Sequence, residues 1–392
     1  MIHSNMDLPD ELLLLIFALG VFDLNTRWIL ANVCQKWRRV VSDLSLWRGQ
    51  MAFTEKDQWT MGPTENGCDY FDDTNTSDFH IFVDEDLLPK DHELFEWLFL
   101  CAESVAMGNR PRANARQDVR PFPFDVLGLP GSRATKLTLS LPNDAMPVAL
   151  ATDLHQRITS LALLAPDTWF TPWRTTIITM PQLDSLHLNG WLTARSWRPD
   201  QWPTDAFTHL CRLHVDYMDD SILLAIAQRS REHLVELYVS DAKELCSGHE
   251  VAKACPRLTR LVLARAHASF LIPLASQLVE LQIKSILPED KHLLPDLVRQ
   301  LPIFMKYCFI YDTIVTTDPT WTWTHLLQGH TLRELTLTVQ APRSGEQAFN
   351  DYVKFYAPTH QTDACAFEDD REGEYLMGLH IAEKGQKTFF YG

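Results

Sequence analysis

"LCRLHV" (210–215), "LVELYV" (234–239) and "LTRLVL" (258–263) share one template, apolar at the first, fourth and sixth places, and they begin 24 residues apart. Apolar residues at the fourth and sixth places, with a variable residue between, mark a short strand that buries one face. A constant period of this length marks a single structural unit repeated along the chain. The template recurs upstream as "ATKLTL" (134–139), "ITSLAL" (158–163) and "LDSLHL" (183–188). Downstream it recurs as "LVELQI" (278–283), "MKYCFI" (305–310) and "LRELTL" (332–337), with spacings of 20–27 residues throughout, and "LMGLHI" (376–381) is a tenth candidate.

Between these hexads lie return segments such as "DDSILLAIAQRSRE" (219–232) and "EDKHLLPDLVRQL" (289–301). One short parallel strand and one return segment per unit make a leucine-rich-repeat solenoid, with the parallel sheet on its concave face. "CPRLTRLVL" (255–263) resembles the unit found in leucine-rich-repeat F-box proteins. The asparagine expected three residues past the last apolar position is absent, its place held by Pro166, Trp191, Met218, Ala242 or Ala266, so the turns are expected to be degenerate.

In such a strand the third and fifth template positions point to the concave face. The fifth-position column includes His187, His214, Tyr238, Gln282 and Phe309, and the third-position column includes Arg212, Glu236, Arg260, Glu280 and Tyr307. Neighbouring parallel strands are about 4.8 Å apart, so the alternating charges read either as a self-satisfied surface ladder or as the reader of a polar peptide. Trp169, Trp173, Trp191, Trp197 and Trp202 follow consecutive strands. They read either as a rim that meets a protein partner or as rings sealing an irregular array.

The first fifty residues are a different text. "LPDELLLLIFALG" (8–20) puts Pro9 at a helix start, Asp10 and Glu11 in the first turn and Gly20 past the last. Leu12, Leu15, Ile16 and Leu19 form one apolar stripe, yet Leu13, Leu14 and Phe17 are apolar and lie off it. A helix so apolar cannot bury every side chain within a fifty-residue segment, so something else must cover its second face. A second helix is expected from about Asn25 or Thr26 through "RWILANVCQKWRRVV", with Ile29, Val33, Trp37 and Val40 on one face.

Leu8-Pro9-x-Glu11, Ile16-Phe17, Asp23-Leu24, Val33-Cys34-x-x-Trp37-Arg38 and Leu46-Trp47-Arg48, in that order, resemble the F-box across residues 8–50. The stretch from Asp23 to Val33 is a few residues longer than usual, which predicts an extended loop into the second helix. The resemblance implies docking on the Skp adaptor and, through it, on the cullin scaffold of a ubiquitin ligase. By position, Leu8, Pro9, Leu12, Leu13, Ile16, Phe17, Val33, Cys34, Trp37, Leu46 and Trp47 would form or support that interface. A protein substrate would then meet the repeats through His187, Arg212, His214, Glu236, Tyr238, Arg260, Gln282, Tyr307 and Phe309, with Trp191, Trp197 and Trp202. The alternatives are a scaffold that recruits a partner without ubiquitination and a small-ligand receptor with a pocket beneath the tryptophan loops.

The expected organisation is an F-box over 1–50, an acidic insertion and cap helix over 51–104, the α/β repeat array over 105–340, and a C-terminal cap with a hairpin over 341–392. Net charge is −16, and residues 51–100 alone carry 13 Asp/Glu against two Lys/Arg. With no compensating basic face, nucleic acid is an unsuitable partner. Asp73, Asn75, Ser77 and Asp84 echo a calcium loop, but Asp78 stands where glycine is needed. Eight cysteines without a CxxC pair suit reduced, buried thiols rather than disulfides or zinc. His187 and His214, even if adjacent, lack a third ligand. No phosphate loop, nucleophile elbow or HExxH is present. The expectation is a non-enzyme without metal or cofactor, not bound to membrane, and cytoplasmic, nuclear or both. The longest early apolar run, "LLLLIFALGVF", is too short to span a bilayer.

Overall fold

A computed structural model describes residues 8–20, 22–47, 50–55, 58–63, 80–83, 92–107, 127–140, 150–164, 173–302, 304–315, 333–342, 360–369 and 374–383. The chain divides into two compact units, residues 1–168 with 175–183, and residues 169–174 with 184–392.

The first unit opens with helix α1, Asp10–Leu19, preceded by Pro9 and closed by Gly20, whose N–H donates to the Ile16 carbonyl. A Cβ at Gly20 would meet the edge of the Phe22 ring, which would have to shift to admit it. Helix α2, Leu24–Val33, starts one residue earlier than expected, because the Asp23 carboxylate caps it by accepting from the Thr26 N–H at 2.7 Å. The predicted extended loop is therefore helix. The predicted single second helix is in fact two, since Cys34 is fully extended (φ −163°, ψ 167°) and α3 begins afresh at Gln35–Val41. Arg38 ties the break together, donating to the Ala31 carbonyl (3.1 Å) and to Asn32 Oδ1 (2.8 Å). The break splits the expected face, leaving Ile29 and Val33 exposed and Val40 buried.

After these helices come strands β1 (Gln50–Glu55), β2 (Gln58–Pro63) and β3 (His80–Val83), helix α4 (His92–Cys101), and strands β4 (Ser104–Met107) and β5 (Lys136–Ser140). Helix α5 (Thr152–Arg157), strand β6 (Ser160–Leu164) and helix α6 (Arg174–Ile178) follow. β1 and β2 form an antiparallel hairpin, while β1, β3, β4, β5 and β6 pair in parallel in that order. Parallel strands therefore begin well before the first hexad, where an insertion and a cap helix were expected. Of that acidic stretch, residues 64–79 and 84–91, with the calcium-like positions Asp73, Asn75, Ser77, Asp78 and Asp84, lie outside the described residues.

What joins the N-terminal helices to this sheet is a tryptophan cluster. Trp47 is fully buried and its ring N–H donates to the Val41 carbonyl at 2.6 Å. The buried Arg27 guanidinium lies 4.6 Å above the Trp47 ring and donates to the Leu46 carbonyl at 2.8 Å, so its charge is met by a π-face and a carbonyl dipole. Trp97 of α4 packs at 5.5 Å from Trp28 and 5.4 Å from Trp47, and donates to Ser42 Oγ at 3.0 Å.

In the second unit the strands are β7 (Ser185–Leu192), β8 (Arg212–Met218), β9 (Glu236–Ala242), β10 (Arg260–Ala266), β11 (Glu280–Ile286), β12 (Tyr307–Val315), β13 (Glu334–Pro342), β14 (His360–Asp369) and β15 (Glu374–Glu383). The return helices are α7 (Ala194–Trp197), α8 (Asp220–Ser230), α9 (Gly248–Ala254), α10 (Ala268–Ala275) and α11 (Leu294–Gln300). β7 through β13 pair in parallel, with third template positions aligned from Arg212 through Glu236, Arg260, Glu280 and Tyr307 to Glu334. First, fourth and sixth template positions point inward, and Leu210, Leu213, Val215, Leu234, Leu237, Val239, Leu258, Leu261 and Leu263 are all buried. Each such side chain contributes roughly 1.5–3 kcal/mol of burial. The second-position carbonyls form a ladder: Cys211 accepts from Val235 and Glu236, Val235 from Thr259 and Arg260, Thr259 from Val279 and Glu280.

The missing asparagine has a structural answer. Met218, Ala242, Ala266 and Ile286, three places past the hexad, are buried and continue the strand rather than turn it. Backbone N–H groups of the turns are met instead by aspartates one repeat away. Asp219 accepts from Ala194 (2.6 Å), Asp220 from Cys246 and Ser247 (2.9 Å each), Asp290 from Ser269 (3.2 Å) and Asp312 from Ile286 (2.8 Å).

At the far end, "LMGLHI" is not a tenth parallel strand. It lies within β15, which runs antiparallel to both β13 and β14 and sits between them. β14 and β15 form an antiparallel pair, and residues 384–392, the end of the stretch in which a hairpin was expected, lie outside the described residues.

Candidate functional site

The outer stripe of α1, Leu12, Leu15, Ile16 and Leu19, together with Ile29 and Val33 of α2, is 46–76% exposed. Apolar side chains held this far out on short helices are uncovered surface. Pro9 and Cys34 are also exposed, while Leu8 and Trp37 are half-buried. Leu13, Phe17, Leu46 and Trp47 are interior, so these four can only support a surface. Phe17 meets Trp37 edge-on at 5.6 Å, which fixes α1 against α3. The N-terminus of α1 is pinned as well: Lys36 Nζ donates to the Leu8 carbonyl at 2.6 Å, and Asp10 pairs with Lys36 (3.7 Å) and Arg39. Leu15, Leu19 and Ile29 are outward residues absent from the expected interface. Their signal was present in the helical spacing, but motif positions alone passed over it.

These features define a class, a small helical docking module followed by a parallel-sheet repeat region. A family model described as F-box-like matches residues 6–50, the span of these helices, so the N-terminal helices are an F-box-like domain. No curated protein matches the chain. No described helix is long and apolar enough to cross a membrane.

The exposed face of the second unit carries the other expected residues. His187 and His214 stack at 3.9 Å with their planes 4° apart, and His214 meets Tyr238 at 3.6 Å. Burial lowers the His187 imidazole to about 4. Burial, then His187 and Arg260, lower His214 to about 3, so the stacked pair is neutral. Among the described residues no group of three or more His, Cys, Asp or Glu could hold a metal ion.

Arg260 bridges two strands, its guanidinium 3.0 Å from both Glu236 and Glu280. Arg212 pairs with Asp184 at 3.3 Å, an acid outside the expected column. These pairs are partly exposed, and each is worth no more than about 1 kcal/mol. Gln282, Tyr307 and Phe309 are half-buried on the same face, with Phe309 stacked on Tyr311 at 6.5 Å.

The tryptophan rim needs correction. Trp197 and Trp202 are buried because α7 and the turn after it fold them inward, and Trp173 is buried as well; the Trp202 ring N–H donates to the Trp197 carbonyl and Arg229 lies 5.2 Å over the Trp202 ring. Neither Trp197 nor Trp202 is available to a partner. Trp169 lies outside the described residues. Trp191 alone of the expected tryptophan contacts is exposed.

Proposed function

We propose that the chain is the substrate-recognition subunit of a Skp–cullin–F-box ubiquitin ligase, intracellular and not itself catalytic. The outward apolar stripe of an F-box-like domain carries this reading, since a module that keeps Leu12, Leu15, Ile16 and Leu19 uncovered must bury them against another protein. Pro9, Val33 and Cys34 extend the same docking surface to the Skp adaptor, and the repeat unit holds the protein to be modified. Catalytic gain in such an assembly is positional: a substrate lysine held near a ubiquitin thioester has a raised effective concentration.

The test is binding of purified Skp adaptor to the full chain and to a Leu12→Asp/Ile16→Asp variant, with melting curves recorded for both. Tight binding by the wild type and loss in a variant that melts alike are expected. A folded wild type that does not bind the adaptor would overturn the proposal, and the repeat unit would then be a free-standing binding module.

A further inference from the structure

In strands β8 to β11 the residue three places past the hexad is buried, and in β7 the same count falls on Trp191, which is 45% exposed. The cause is a bulge. Leu188 pairs with Val215 and Trp191 with Tyr217, so Asn189 and Gly190 stand opposite the single residue Asp216. One added residue shifts every later side chain to the other face. Leu192 takes the inward place opposite Met218, and Trp191 is turned outward.

A side chain spans this bulge. With its nitrogen toward β8, the Asn189 amide donates to both carboxylate oxygens of Asp216, at 3.0 Å to Oδ1. Asp216 is held in turn from β9, accepting from Ser240 Oγ at 3.4 Å. Asn189 is exposed. Of the described asparagines, Asn25 and Asn32 lie within helix α2 and precede Thr26 and Val33, and only Asn189 precedes a glycine.

We infer that Asn189 is a site of spontaneous deamidation, and that Asp216 makes the product a release of the bulge. The Gly190 backbone nitrogen attacks the Asn189 side-chain carbonyl carbon. A C–N bond forms there, the bond to the side-chain nitrogen breaks, and that nitrogen leaves as ammonia with the proton given up by Gly190. Water then opens the cyclic imide to aspartate or isoaspartate, so one water is consumed for each ammonia lost. Glycine has no Cβ to obstruct the attack. A bulge also takes its residues out of the extended geometry that keeps a side chain and the next backbone nitrogen apart. The two asparagines of α2 lack both features.

The product matters because of what faces it. An amide that donated two hydrogen bonds becomes a carboxylate with none to donate, set against Asp216, and like charges at that distance disfavour each other. The strand then loses the contact that spans the bulge, and with it the placement of Trp191 and Leu192. The modification needs no partner and is independent of adaptor docking.

The experiment incubates the full chain at body temperature in mildly alkaline buffer, beside the free peptide LHLNGWLTA (186–194), and follows both by peptide mass spectrometry. When half of the peptide has converted, residue 189 of the chain should show aspartate and isoaspartate, and Asn25 and Asn32 neither. An unconverted Asn189 at that time, or equal conversion at Asn25 or Asn32, would overturn the inference. Melting curves test the role of Asp216. Asn189→Asp should lower the melting temperature of the full chain by roughly 2–4 °C. Asn189→Asp/Asp216→Asn again sets an amide against a carboxylate and should regain the loss. A single variant as stable as the wild type, or a double variant no better than the single one, would show that Asp216 does not oppose the product and would overturn the release.

Discussion

The F-box-like helices and the repeat unit are both leucine-rich, and they use their leucines in opposite ways. In the repeats, Leu213, Leu237 and Leu261 are fully inside, and the variable positions between them face out. On α1, the side chains that obey the helical stripe, Leu12, Leu15, Ile16 and Leu19, are the exposed ones, and the off-stripe Leu13 and Phe17 make the core. Periodicity identifies a face; what covers that face is a separate question. In the repeats the chain itself supplies the cover. On α1 the described residues leave the stripe exposed, as a docking module requires.

This contrast can be broken at several points. Leu237→Ala in β9 should cost roughly 2–5 kcal/mol of stability by thermal or denaturant unfolding, with adaptor affinity unchanged in the folded fraction. Leu12→Asp/Ile16→Asp should do the reverse, weakening adaptor binding by about 100-fold in a calorimetric titration while leaving the melting temperature in place. A large loss of stability there would mean the stripe is core and the contrast false.

Asp312→Ala should cost roughly 1–3 kcal/mol in the repeat unit, because it strips the Ile286 N–H of its acceptor at a buried site. An unchanged unfolding midpoint would show that the aspartate ladder does not replace the missing asparagines.

A further effect is one of pH. Unfolded imidazoles take up protons below about 6.5, while folded His187 and His214 resist until about 4 and about 3. Their contribution is therefore complete above the unfolded value and is lost as the pH falls toward the folded ones. Melting temperature should fall between pH 7 and 4.5 more steeply in the wild type than in a His187→Asn/His214→Asn variant. Parallel curves would show that the stack carries no proton linkage.

Much of this was legible beforehand. The hexads place β5 through β13 correctly, and the start of α1 follows from Pro9, Asp10 and Glu11. The strands β1 and β3 were not legible, since neither carries the hexad and their pairing depends on the neighbours they join; β4 does carry it, as "AESVAM" (102–107) in register with 134–139, a copy the reading of the sequence passed over. Cys34 breaks a helix that the Ile29–Val33–Trp37–Val40 spacing would continue, since spacing is blind to a single extended residue. The motif positions were legible as a group, but their division into outward Pro9, Leu12, Ile16, Val33 and Cys34 and inward Leu13, Phe17, Leu46 and Trp47 was not.

By itself, the sequence determined the repeat period, the inward positions of each strand, the charge columns of the sheet and the presence of an F-box-like beginning. All are local patterns, set by alternation along a strand or by the helical turn. Tertiary structure decided which leucines of α1 stay uncovered, that Trp197 and Trp202 go inside while Trp191 goes out, and that aspartates stand in for asparagines at the turns. Burial belongs to pairs of residues far apart in the chain, and a one-residue bulge, invisible to any count of apolar positions, is enough to move a tryptophan from one face of a sheet to the other.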